Sequence, residues 1–278
     1  MEWLTDNKVP IGKWAKNGVD WLTDNAYFVF AGIEWFLDWV VWLILAVIQA
    51  PPAILVVAIV CAIAWYLHRS VWTVVLMALG LLFIINQGYW EETTETLTLV
   101  LASALVCMAI GVPIGIYLAH HPKAYAFARP VLDLMQTLPT FVYLIPAIIF
   151  FGLGMVPGLV ATVIFVIPAP IRLTQLGISS TPKAMIEAGQ AFGASAMQLL
   201  WKVELPSAMP QIMAGLTQTI MLSLSMVVIA ALVGADGLGI PVVRALNTVN
   251  IALGFEAGFV IVVVAILLDR LLRRGDAT

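Results

Sequence analysis

The chain has 278 residues, 62% of them apolar and only 10% charged, with a mean hydropathy of +1.03. That is more hydrophobic surface than a soluble domain of this length can bury, so the protein belongs in a lipid bilayer. A net charge of −3 argues against nucleic acid as a partner, and the two cysteines, Cys61 and Cys107, sit inside apolar runs and imply neither a disulfide framework nor a metal set.

Residues 1–50 read as an N-terminal tail with an amphipathic or first membrane helix. Trp3, Trp14, Trp21, Trp35, Trp39 and Trp42 crowd this stretch, and Trp favours the membrane–water boundary. Asp20, Asp24, Ala31, Glu34 and Asp38 fall near one helical face opposite a dense apolar one, the pattern of a helix lying in the interface. The rival is a span over 27–48, which would carry Glu34 and Asp38 at a cost of up to about 3 kcal/mol for each near the centre. The flat helix is the expectation preferred here. No basic segment precedes a compact apolar core, so a cleavable signal peptide is not expected.

Pro51 and Pro52 break the chain, and 51–92 then holds two short accessory spans, 53–67 and 71–87, separated by His68 and Arg69. The segment 95–119 has no charge after Glu95 and contains Gly111, Pro113 and Gly115, expected to form a flexible point in a membrane helix. Spans at 131–151 and 156–174 are joined by Gly152, Leu153 and Gly154. After a polar interval at 179–210 come 212–233, a Gly-rich external re-entry or plain turn at 234–239, a last span at 251–269 and a cytoplasmic tail at 273–278. The sum is an all-α polytopic membrane protein with about seven, possibly eight, transmembrane helices.

The interval 179–210 is patterned as a short helix, a turn and a second short helix, lodged between long apolar runs. Thr181 suits an N-cap with Pro182 at the first helical position. Glu187 lies early in the helix, where a carboxylate complements the dipole. Gly189 and Gly193 permit a tight turn or close approach, and Leu205-Pro206 is expected to stop the second helix. If this interval is cytoplasmic, alternating crossings place Arg69, Lys123, Arg129, Arg172, Lys183, Lys202, Arg270, Arg273 and Arg274 inside. Arg244 alone falls outside, with Glu91, Glu92 and Asp236, a strong positive-inside bias. Lys8, Lys13 and Lys16 join the inside set only if the first segment spans.

The downstream spans hold almost no central ionisable group, which disfavours an ion-coupled carrier. Asp133, Arg172 and Asp269 fall near cytoplasmic ends and read as interfacial. The one Gly-Lys pair, Gly12-Lys13, is followed by Trp14, so no phosphate-cradling loop is present. His120 and His121 read as a solvated turn. Residues 135–146 place Gln136, Thr137, Thr140 and Tyr143 in an apolar helix expected to bend at Pro139 and Pro146. A second polar set, Thr217, Gln218, Thr219, Ser223 and Ser225, lies in 216–233. Such residues either join helices or line a path.

Glu187-Ala188-Gly189, Gly193 six residues after the Glu, and Val203-Glu204-Leu205-Pro206 resemble the EAA loop of ABC-importer permeases. Gly189 replaces the second Ala of that pattern and Val203 replaces Ile. Together with 133–146, 214–221, 224–230 and 234–239, the loop makes about 50–272 similar to permeases of glycine betaine/proline-type importers. The resemblance implies a type I permease core over 93–272, with 179–210 as a cytoplasmic coupling loop seated in an ATPase groove through Glu187, Ala188, Gly189, Gly193, Leu205 and Pro206. Gln136, Thr137, Thr140, Tyr143, Gln218 and Ser225 are then candidate path residues. It further implies a second permease copy in a homodimer, two ATP-binding-cassette ATPase subunits that bind ATP and Mg while this chain holds no cofactor, an extracytoplasmic substrate-binding protein, and residence in a bacterial cytoplasmic (inner) membrane with the C-terminus inside. The implied cargo is a quaternary-amine solute such as glycine betaine, choline or proline betaine. Two alternatives stay open: an ABC permease for an amino acid such as methionine, and an ion-coupled carrier or channel in which the polar loop is regulatory.

Overall fold

A computed structural model describes residues 10–272, so Trp3, Lys8, Arg273, Arg274 and the 273–278 tail lie outside the described residues. Among the described residues all regular structure is helical. Five helical stretches are long and apolar enough to cross a membrane, and a bent pair makes a sixth.

The first helix, α1 (Ile11–Gln49), is continuous over 39 residues, about 58 Å at 1.5 Å per residue. Phe30 stacks on Phe150 at 4.2 Å, and Gln49 Nε2 donates to Thr94 Oγ1 at 2.7 Å. Between these points Leu37, Val40 and Val41 bury against Ala102, Phe151, Val156 and Leu159. The two contact points are separated by about 28 Å of helix, and the helix packs on Trp90–His120, Phe141–Phe151 and Met155–Val166. The helix leaves Trp14, Trp21, Trp35, Trp39 and Trp42 exposed. By length and composition Gly12–Gln49 also qualifies to cross a membrane.

Two 16-residue helices follow, α2 (Ala53–His68) and α3 (Val71–Asn86), each about 24 Å long and shorter than a typical hydrocarbon core. Arg69 closes α2 in a left-handed conformation, and His68 Nε2 lies 3.1 Å from the Leu271 carbonyl, so α2 ends beside the last helix.

The centre is made by α4 (Trp90–His120), α8 (Pro168–Ser179) and α11 (Leu205–Ala231), which pack along one another. The expected flexible point in α4 is instead a contact surface. The helix continues through Pro113, while Gly111 faces Pro170 and a Cβ on Gly115 would stand 2.7 Å from the Ile171 carbonyl oxygen. Glycine is used here so that two backbones can approach. Ser103 donates to Ser223 at 2.9 Å, joining α4 to α11 where both hydroxyls are fully buried.

The single helix expected over 131–151 is two, α5 (Pro122–Thr137) and α6 (Phe141–Phe151), set at 93°. Leu138 is extended, with ψ 138°, as the residue before a proline prefers. Pro146 lies within α6 and does not break it, so the break belongs to Pro139 alone. A turn leads to α7 (Met155–Val166), which runs on into α8.

Two further corrections concern the polar interval. Its first helix, α9 (Lys183–Ala191), has Pro182 at the N-cap, and Thr181 is buried with its hydroxyl unpartnered rather than capping. After α10 (Ala196–Leu199) and a π-helical turn, Leu200–Glu204, the pair Leu205-Pro206 opens α11 instead of stopping a helix. Proline is tolerated in a first turn because its missing N–H has no partner there. The Gly-rich turn with Gly234 and Gly237 at positive φ is followed by a further helix, α12 (Gly239–Thr248), before α13 (Ile251–Leu272).

Candidate functional site

The polar interval projects from the junction of α8 and α11 as α9, a turn and α10. Gly193, at φ +77°, closes α9: the Ala194 amide donates to the Gly189 carbonyl at 3.0 Å and the Phe192 amide to the Ala188 carbonyl at 3.1 Å. Only glycine takes such a φ without strain. A capping box then starts α10, with the Ser195 amide donating to Gln198 Oε1 at 2.9 Å and the Gln198 amide to Ser195 Oγ at 3.4 Å. Gly189 is the contact between the two short helices, since a Cβ there would lie 2.6 Å from Leu199 Cδ2. Its departure from alanine therefore has a packing reason.

This projection displays apolar side chains. Phe192 is 94% exposed, Met197 64% and Trp201 65%, and Met185, Glu187 and Ala188 share the open surface. Exposed aromatic and methionine side chains on a helical projection make it a candidate docking surface. Leu205 and Pro206 lie at its root in the first turn of α11.

The root is held by two side-chain links. Arg172 Nη2 lies 2.7 Å from Asp133 Oδ1, tying α8 to α5, so these residues pair with each other. His120 is exposed, as a solvated residue would be, but it also has a partner: its Nε2 lies 2.9 Å from Glu204 Oε2 in the π-helical turn. Sequence reading missed this link because 84 residues separate the partners. No local pattern could have joined them.

The candidate path residues divide. Tyr143 is buried and its hydroxyl donates to the Met135 carbonyl at 2.7 Å, bracing the break between α5 and α6. Gln136 and Thr140 are half-buried near the same break, and Thr137 is exposed with its hydroxyl donating to the Leu134 carbonyl. On α11, Thr219 and Ser223 are fully buried between helices. Gln218 and Ser225 are exposed on the opposite face. No hydrogen bond links the α5–α6 set to the α11 set among the described residues.

At the other end of the bundle lies an unforeseen cleft of about 300 Å³ lined by Tyr89, Glu91, Glu92, Glu95, Pro241, Arg244 and Leu253. Burial pushes the Tyr89 phenol above its ordinary pKa, with Glu256 and Glu92 adding to the rise and Arg244 opposing it. Among the described residues no cluster of His, Cys, Asp and Glu could hold a metal ion.

Residues 111–276 match the family described as binding-protein-dependent transport system inner membrane component. Over 267 residues the chain is 43% identical to the glycine betaine/proline betaine transport system permease protein ProW of Escherichia coli strain K12, spanning 95% of this chain and 74% of that one. It is 44% identical over 271 residues to the glycine betaine/carnitine transport permease protein GbuB of Listeria monocytogenes, spanning 95% and 94%. Against the glycine betaine transport system permease protein OpuAB of Bacillus subtilis strain 168 the identity is 46% over 265 residues, spanning 95% and 93%. Among solved structures, an inward-facing form of the MetNI methionine ABC transporter matches in fold, with a TM-score of 0.60 at 24% identity over 69% of this chain and 96% of that one.

Proposed function

Because the chain belongs to the family of inner-membrane components of binding-protein-dependent transport systems, we propose that it is the permease of an ATP-driven importer for a quaternary-amine solute of the glycine betaine class. The exposed helix–turn–helix with Phe192, Met197 and Trp201 carries this reading. A membrane protein that lacks a phosphate-binding loop of its own but offers such a surface at the root of its central helices is built to be driven from outside.

Two ATPase subunits bind ATP and Mg and grip α9 through Glu187, Ala188, Gly189 and Gly193. Their closure moves Leu205 and Pro206, and with them α11. Because α11 packs along α4 and α8, that movement reaches the centre of the bundle. Two copies of the chain face each other across a path that includes Gln136, Thr137, Thr140, Gln218 and Ser225, with Tyr143 holding the shape of the break. The loop and the C-terminus are cytoplasmic, which puts most of the basic residues inside and leaves Arg244 outside. An extracytoplasmic binding protein delivers the solute at the acidic end, where Glu91, Glu92 and Asp236 lie. Cation–π selection belongs to that protein, and the permease offers a transient site.

The chain is to be reconstituted in liposomes with its ATPase and binding protein and supplied with labelled glycine betaine or methionine. ATP-dependent uptake of the quaternary amine, together with ATPase stimulation by the loaded binding protein, is the expected result. Uptake that ignores ATP, or that prefers methionine, overturns the assignment.

A further inference from the structure

At the end of α4 the His120 ring faces two oxygens at once. Nδ1 stands 2.9 Å from the Ile116 carbonyl and Nε2 stands 2.9 Å from Glu204 Oε2. A carbonyl oxygen only accepts, so the Ile116 contact is a hydrogen bond when Nδ1 carries a hydrogen. The second contact then needs a proton of its own between Nε2 and the carboxyl, carried by either group. With that proton gone, the single ring hydrogen can serve Ile116 or Glu204 but not both, and the unserved nitrogen turns a lone pair toward an oxygen.

Glu204 is the buried partner, its side chain 10% exposed, whereas the His120 side chain is 43% exposed. The carboxyl is turned inward by a π-helical turn, a local irregularity often kept at functional positions. That turn joins α10 to α11, so it is the direct route by which movement of the projection reaches α11. Resting on the reading of 179–210 as the coupling loop, we infer that His120 and Glu204 form a proton-dependent strap fastening the root of that loop to α4. Both are positioning residues for the transfer of motion from ATPase to bundle.

The surrounding charges leave the pair to itself. Arg172 on α8 is taken by Asp133 on α5. Lys202 of the π-helical turn and Lys183 and Glu187 of α9 are exposed. On α5, Lys123, Tyr125 and Arg129 complete the titratable set, and α7, α10 and α11 carry none. On α4 itself, Tyr117 stacks on His121, whose Nδ1 faces the Tyr117 carbonyl.

The chemistry gives variants with distinct signatures. In Glu204→Gln an amide N–H donates to a neutral Nε2 while Nδ1–H still serves Ile116, so the strap survives without an extra proton. His120→Gln likewise donates an amide N–H to the Glu204 carboxylate. Glu204→Ala has no strap.

The test measures solute moved per ATP hydrolysed in liposomes holding the full importer, between about pH 6 and pH 9 on the cytoplasmic side. In the unmodified protein this ratio should fall by about fivefold as pH rises, the loss of one hydrogen bond. Glu204→Gln and His120→Gln should stay level, and Glu204→Ala should be low throughout. Superimposed profiles for the unmodified protein and Glu204→Gln overturn the strap, as does full coupling in Glu204→Ala. A second measurement needs no transport: ring-nitrogen NMR signals of the ¹⁵N-histidine-labelled chain in nanodiscs. The His120 signals should change on Glu204→Gln while those of His121 do not, and unchanged His120 signals overturn the contact. If the importer fails to move a quaternary amine at all, the proposed function falls and the nanodisc signals still decide the strap.

Discussion

Gly193 is needed for its backbone, not for want of room. At φ +77° it closes α9, yet nothing lies within 4 Å of where a Cβ would stand. A side chain there fits the free subunit and meets only what docks on the projection. Asparagine and aspartate visit the left-handed region at lower cost than other residues, so both should preserve the turn. Gly193→Asp should insert into membranes at the normal level but lose uptake by about tenfold or more, the loss expected when a central contact of an interface is spoiled. Gly193→Asn, which brings no charge, should lose less. The measurement is solute uptake at matched membrane abundance. Equal, undiminished uptake in both variants would remove Gly193 from the docking surface. Gly115 makes the opposite case, since there the room is absent and a side chain would strike the Ile171 carbonyl.

The break between α5 and α6 is a device of several residues. Pro139 forces Leu138 into an extended conformation, and the Tyr143 hydroxyl reaches back across the gap to the Met135 carbonyl. Tyr143→Phe removes the donor and should lower stability by about 1 kcal/mol, read as earlier unfolding in a denaturant titration of the purified protein, with uptake reduced less than by Gly193→Asp. A variant as stable as the parent would show that the proline sets the angle unaided. The elements teach how far sequence reading reaches. Apolar runs locate the helices of the bundle because membrane burial is written residue by residue. Prolines mark possible breaks but not which ones occur: Pro139 breaks, Pro113 and Pro146 stand inside continuous helices, and Pro206 begins one. Neighbouring helices settle the difference, and their positions depend on the whole chain. The turn at Gly193 and the small contact at Gly189 were legible because the spaced motif is local. The link between His120 and Glu204 was not, because it exists only after α4 and α11 have been brought side by side.

At the scale of the molecule, α11 carries an exposed stripe along one side. Ala214, Gln218, Met221, Ser225, Val228 and Leu232 recur at helical spacing on the side away from Gly215, Thr219, Ser223 and Met226, which are buried. Ala214, Gln218, Ser225 and Leu232 are exposed in the single chain. A Gln side chain facing hydrocarbon leaves polar groups without partners, which is costly in lipid. The stripe is therefore expected to face a hydrated path shared with a second copy, and its small and polar residues suit both closeness and water. In the proposed pair of copies, the two α11 helices would stand opposite each other. In a chain with Cys61 and Cys107 replaced by alanine, Ser225→Cys should form disulfide-linked dimers in membrane vesicles on mild oxidation. The yield should change when ATP is supplied, as the path opens and closes. Trp72→Cys, on the 83%-exposed position of α3, should remain monomeric. Dimers through Trp72→Cys with none through Ser225→Cys would put the second copy on the other side of the bundle and leave Gln218 and Ser225 to be explained by lipid-side packing instead.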